Sequence, residues 1–145
     1  MDKDTISTPF GEFAAEDHGK SYCASFATGR GALRVHLDTD GMDAALNAFG
    51  RFAGDLDGLD GRLRAYAAEN MLEDANDWLA DSDDEDRPES YTKSDFIGRM
   101  ADPELYFGSD GCVSAYYSDG GMFWGHTIAV YLDENSEPDE ADICG

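Results

Sequence analysis

Ten residues in the last third of the chain, Tyr117-Ser-Asp-Gly-Gly-Met-Phe-Trp-Gly-His126, gather an acid, a histidine and aromatic rings as densely as an active-site turn would. An Asp and a His this close can act as general acid and base when a third group orients the imidazole. A structural use of the same residues outweighs that one. Asp119-Gly120-Gly121 is the composition of a tight turn, Phe123 and Trp124 can anchor a core, and Gly125 admits a bulge or a close aromatic ring. No orienting carboxylate or second ligand stands beside His126 in the sequence.

The remaining reactive side chains form no motif. The histidines are His18, His36 and His126, with no HExxH pairing between them. Cys23, Cys112 and Cys144 stand far apart, without the short paired spacings of zinc ribbons or redox centres. Cys23 and Cys112 fall in strand-like segments and read as small buried hydrophobes, whereas Cys144 lies near the terminus and is open to oxidation. Asp81, Asp83 and Glu85 alternate as calcium ligands sometimes do, but the glycine and closing glutamate of an EF-hand loop are missing. Neither Gly29-Arg30-Gly31 nor the stretch from Gly108 to Gly111 sits between a strand and a helix as a phosphate cradle must. There is no GxSxG nucleophile elbow, and carboxylates are too abundant for any pair to signal a glycosidase. The expectation is therefore no catalytic residue, no cofactor and no metal.

These residues must be positioned by elements that the hydrophobic pattern indicates. From Phe10 to Asp38 the apolar period is two, which predicts two or three strands, with a hairpin at Gly29-Arg30-Gly31. Arg34, His36 and Asp38 fall on the wetter face. Met42, Leu46, Phe49, Ala53 and Leu56 then mark one helix, and Leu59, Leu63, Tyr66, Ala67, Met71, Ala75, Trp78 and Leu79 a longer one, the two forming a helical hairpin. A charged loop runs from Asp81 to Ser90. Thr92 and Asp95 resemble a capping box that opens a short helix, which Pro103 ends. Strands follow at Leu105 to Phe107, Cys112 to Tyr117 and Phe123 to Leu132, with a final short one at Ile143. The fold class expected is α+β: a single antiparallel β-sheet of about five to six strands packed on a layer of two to three helices, in the order strands-helices-strands, as one domain over residues 1–145.

Charge narrows the partners. The chain carries 32 acidic against 10 basic residues, a formal net charge of -22 on 145 residues. A single-sign surface of this kind repels nucleic acid and anionic membrane and attracts basic proteins. With 41% hydrophobic and 12% aromatic residues, the chain lies away from the disordered class. The first residues hold no apolar run of the signal-peptide type and no stretch reaches eighteen apolar residues, so the protein reads as soluble and cytoplasmic.

The segment from Tyr116 to Val130, with its Phe-Trp-Gly-His core, and the closing Ala141-Asp-Ile-Cys-Gly145 resemble a family of small bacterial proteins known as a domain of unknown function, number twenty-two sixty-two. That family has no assigned activity, so the resemblance implies a fold and a bacterial or phage setting and transfers no catalytic residue. It also suggests a likeness to immunity proteins, which neutralise toxins by covering their active sites. The function expected is a non-catalytic binding protein, an immunity protein or antitoxin for a basic, nuclease-like or deaminase-like toxin. Asp81, Asp83, Asp84, Glu85 and Asp86 would steer the encounter, and Tyr91 or Tyr117 would anchor it. The alternatives are an enzyme using the Asp119 to His126 turn, and a salt-adapted domain whose acidity serves only solubility. Because like charges crowd the folded surface, the melting temperature should rise as sodium chloride is added, and a flat salt response measured by calorimetry contradicts this.

Overall fold

Alternating apolar and polar residues give the chain strands with one dry and one wet face, and the computed structural model joins them into one sheet. It describes residues 5–16, 20–83, 85, 88–108, 110–133 and 135–144. Strands β1 (Thr5–Thr8), β2 (Gly11–Glu16), β3 (Ser21–Thr28) and β4 (Gly31–Asp38) come first. A 3-10 turn at Thr39–Gly41 leads into helices α1 (Met42–Gly50), α2 (Leu56–Ala80) and α3 (Lys93–Arg99), and strands β5 (Ala101–Phe107), β6 (Val113–Ser118), β7 (Thr127–Leu132) and β8 (Pro138–Cys144) follow. The sheet order is β1 to β8 in sequence. Its neighbours are antiparallel except β4 and β5, which run parallel with Val35 opposite Leu105.

This corrects the expected single antiparallel sheet of five to six strands in the order strands-helices-strands. The sheet has eight strands, is mixed, and runs unbroken from β1 to β8, so no block of helices divides it. The helical segment is a crossover: it returns the chain to the starting end of β4, and a strand entered from there must lie parallel to it. The unforeseen β1 is short and lies at one edge, and the short strand expected at Ile143 is the seven-residue β8 at the other. Their alternation is weak because an edge strand buries little.

The helix stripes find separate partners. Helix α1 packs on β4 and β5, whereas α2 packs on α3, β7 and β8, so the expected helical hairpin is two helices spread across one face of the sheet. Leu33, Val35, Leu37, Leu105, Phe107, Ala115, Tyr117, Ile128 and Val130 form the covered face. Phe49 of α1 touches Phe13, Phe26 and Phe107, with ring centres 6.0, 5.3 and 5.4 Å away. Pro103 lies inside β5 and does not end α3. It sits in a register shift between Ala101 and Glu104, beside Asp102 at φ 51, a bulge of the kind that tolerates proline in a sheet. The capping box is present as expected: Asp95 donates its backbone N–H to Thr92 Oγ1 at 3.0 Å and accepts the Thr92 N–H at 2.9 Å. Those bonds hold the Asp95 carboxyl below its usual range.

Two charges are buried at the centre of the helix layer. Asp60 and Arg64, one turn apart on α2, are 2% and 3% exposed, and Arg64 Nε contacts both Asp60 oxygens at 3.1 and 3.0 Å. Arg64 Nη1 also donates to the carbonyls of Ile97 at 2.9 Å and Met100 at 2.5 Å, and the Tyr117 hydroxyl donates to Asp60 at 2.7 Å. The guanidinium lies over the Tyr117 ring. Burial, and then the neighbouring Asp60 charge, push the Tyr117 phenol well above its ordinary value. Removing one member of a buried pair strands the other, which costs about 3–5 kcal/mol. Arg64→Met is therefore expected to lower unfolding stability by about that amount, and Tyr117→Phe by about 1.5–3 kcal/mol, in equilibrium urea unfolding. A loss below about 1 kcal/mol for Arg64→Met, the scale of an exposed pair, would refute the assignment.

Candidate functional site

The acidic loop is where the charge pattern puts it. Asp81 follows α2 as its C-cap, and Asp83, Glu85 and Glu89 are exposed beside it; Asp84 and Asp86 lie outside the described residues. Leu79, Ala80, Ser82, Asp83, Glu85, Pro88 and Glu89 border an open cleft of about 600 Å³. The aromatic anchors expected next to it are not on the surface. Tyr91 is 8% exposed, beneath the Arg99 guanidinium, with its backbone clamped by Asn76 through bonds of 2.7 and 3.2 Å. Tyr117 is 1% exposed and holds Asp60. Both rings serve packing, because alternation in β6 turns Tyr117 inward and Asn76 draws Tyr91 onto α2.

The more exposed of two exposed large rings among the described residues is Trp124, 59% accessible against 40% for Tyr106, and the turn between β6 and β7 holds it out. Asp119 is almost wholly buried there, and its carboxylate accepts backbone N–H groups from Gly121, Phe123, Gly125 and His126 at 2.8–3.1 Å. Gly120 has φ 60 and no room for a side chain, since a Cβ would strike the Arg99 carbonyl at the end of α3. Trp124 itself has φ 60, a left-handed conformation that costs a side-chain-bearing residue about 1–2 kcal/mol. Its ring meets Trp78 of α2 edge to face, with centres 4.9 Å apart, and Trp78 also meets Phe123 and His126 at 5.4 Å each. His126 Nδ1 is 2.5 Å from the Phe123 carbonyl and donates to it. Asp119 and His126 thus spend these atoms in building the turn. Asp74 and Asp81 lie about one turn to either side of Trp78, and both are exposed, as is Asp77.

A second cluster lies on the sheet face away from the helices. His36 on β4, 4% exposed, has Nδ1 against Glu16 Oε1 and Nε2 2.8 Å from Glu104 Oε1, and its ring stacks on Tyr106 at 4.2 Å and 4°. Arg34 bridges the same carboxylates at 3.5 and 3.7 Å and lies 3.3 Å from Cys23 Sγ. Burial, only partly offset by the Arg34 contact, raises the Cys23 thiol above its ordinary value, so it lacks the activation of a cysteine nucleophile. Tyr106, Tyr116 and Tyr131 continue the face as an edge-to-face row, and the Tyr131 hydroxyl lies 3.8 Å from Cys144 Sγ. Sequence reasoning missed both centres. Trp124 reads as core, and Glu16, Cys23, His36 and Glu104 meet only through strand pairing. Cys112, expected in a buried strand, is exposed just before β6.

A family model described as an uncharacterized protein conserved in bacteria (DUF2262) matches residues 8–143. Comparison with curated proteins and with solved structures gives no match. The matched stretch includes the Asp119 turn, whose architecture is directly measurable. Asp119→Asn turns an amide NH2 or a weaker acceptor toward four backbone donors and is expected to cost about 3–5 kcal/mol in urea unfolding. It also frees the Trp124 ring, seen as a change in native tryptophan fluorescence. Unchanged stability and emission would show that the carboxylate does not hold the turn.

Proposed function

The chain belongs to DUF2262, a family of uncharacterized proteins conserved in bacteria, and on that premise we propose that it is a non-catalytic binding domain for a basic protein. One observation carries this reading: a strained turn holds Trp124 in solvent beside an acidic helix end. Burying Trp124 in the core would relieve the exposure of a large apolar ring, yet the turn spends a buried carboxylate to keep it outside. Strain of this kind is favoured where it presents a contact. A tryptophan with charged neighbours has the make-up of an interface centre, with the ring supplying affinity and the rim supplying steering. Asp74, Asp77 and Asp81 supply that rim, and Asp83 and Glu85 extend it.

The finer form of the proposal is an immunity protein, whose acidic surface occupies the basic substrate groove of a bacterial toxin. The net charge of -22 supports it, since a toxin that grips nucleic acid presents the complementary field. The test is a titration of the full chain with the basic protein encoded beside its gene. A one-to-one complex is expected, weakened about 30-fold or more by Trp124→Ala, the scale of an interface hot spot. Asp74→Lys with Asp81→Lys should slow association and flatten its salt dependence while leaving dissociation nearly unchanged. Full affinity in a folded Trp124→Ala variant, or no complex near stoichiometry, would overturn the proposal.

A further inference from the structure

On the sheet face opposite the helices, we infer that Glu16, Cys23 and His36 form a binding site for one divalent transition-metal ion of the zinc class, with Glu104 orienting the histidine. This site lies apart from the Trp124 patch and stands independently of the docking proposal. Three adjacent strands bring the donors together: Glu16 ends β2, Cys23 lies on β3, and His36 is its direct partner across the β3–β4 ladder. The carboxylate oxygen, thiol sulfur and imidazole nitrogen lie within 4.8 Å of one another. Zinc bonds of about 2.0–2.3 Å in tetrahedral geometry place ligand atoms roughly 3.3–3.8 Å apart, so small side-chain rotations that part the contacting His36 and Glu16 atoms would bring the three donors to those separations.

The histidine is prepared for this role. Burial, the Tyr106 ring stacked on its face and the Glu104 contact at Nε2 fix its orientation and leave Nδ1 aimed at the other donors. A carboxylate behind a ligating imidazole is the usual support of a metal-bound histidine. One sulfur, one nitrogen and one oxygen suit zinc and its neighbours, whereas calcium and magnesium require oxygen alone. Three protein ligands leave a fourth coordination position on the open face. Arg34 supplies positive charge to two of the same side chains, at 3.3 Å from Cys23 Sγ and 3.5 Å from Glu16 Oε2. Its side chain is 51% exposed and free to swing outward, so the guanidinium and the metal compete for one place.

Cobalt(II) tests the assignment because a thiolate ligand gives it a near-ultraviolet charge-transfer band that carboxylates alone do not. Titration of the full chain should give that band at one ion per chain, with zinc displacing the cobalt. Cys23→Ser should abolish it, while the Cys112→Ser, Cys144→Ser double variant retains it. Glu104→Gln should weaken cobalt binding by about 10- to 100-fold, as loss of a supporting carboxylate does, and Arg34→Gln should strengthen it. Thermal melts of each variant without metal show that the fold persists, and Cys23→Ser is mild enough at a half-buried position to keep it. Absence of the band in the folded native chain would overturn the inference. So would a band that survives Cys23→Ser, or cobalt binding to that variant as tight as to the native chain, which marks adventitious capture by surface acids.

Discussion

The buried pair Asp60 and Arg64 is the contact on which the helix layer depends. It lies where α2, the end of α3 and β6 meet, and each partner uses its spare hydrogen-bonding capacity on another element. Arg64 takes the carbonyls of Ile97 and Met100, which the end of a short helix leaves unpaired. It thereby fixes where α3 stops and where β5 begins. From that point the bulge at Asp102 and Pro103 sets the β5 register, and that register puts Glu104 beside Arg34 and Tyr106 beside His36 on the far face. A charge pair inside the helix layer thus governs the geometry of a polar cluster on the other side of the sheet.

The sheet separates two kinds of surface. Toward the helices, aromatic rings and aliphatic side chains close a dry core around Phe49, and the Asp119 turn carries one ring, Trp124, beyond its edge. Away from the helices, the wet residues of the alternation assemble His36, two glutamates, Arg34 and Cys23, then a row of tyrosines. The first surface presents an apolar contact within a negative field. The second presents fixed donor atoms of mixed softness. Neither face borrows residues from the other, so the proposed docking surface and the proposed ion site are separable.

Local signals were readable in the sequence and distant ones were not. Thr92 and Asp95 satisfy each other across three residues, so the capping box is evident before any tertiary contact is known. The Gly29-Arg30-Gly31 turn is equally local, and β4 begins at Gly31 with φ 123. The parallel pairing of β4 with β5 joins residues about seventy positions apart and depends on how the helices return the chain. Tyr117 shows the same limit. Its type suits an exposed anchor as well as a buried hydroxyl, and the partner that decides the matter, Asp60, lies 57 residues away. Glu16, Cys23 and His36 have no motif spacing because strand register alone assembles them.

Strand β8 carries Asp139, Glu140 and Asp142 along an edge of the sheet that, among the described residues, pairs with no further strand. An open edge invites another chain to add itself, the route by which sheet proteins polymerise. Two copies meeting there would set like charges against each other, and the repulsion falls where hydrogen bonds between them would start to form. The opposite edge, Thr5-Ile-Ser-Thr8, bears no such charge. Acidity on β8 therefore selects among the ways two copies could extend the sheet: β8 against β8 is opposed by like charge, whereas β8 against the uncharged β1 is not.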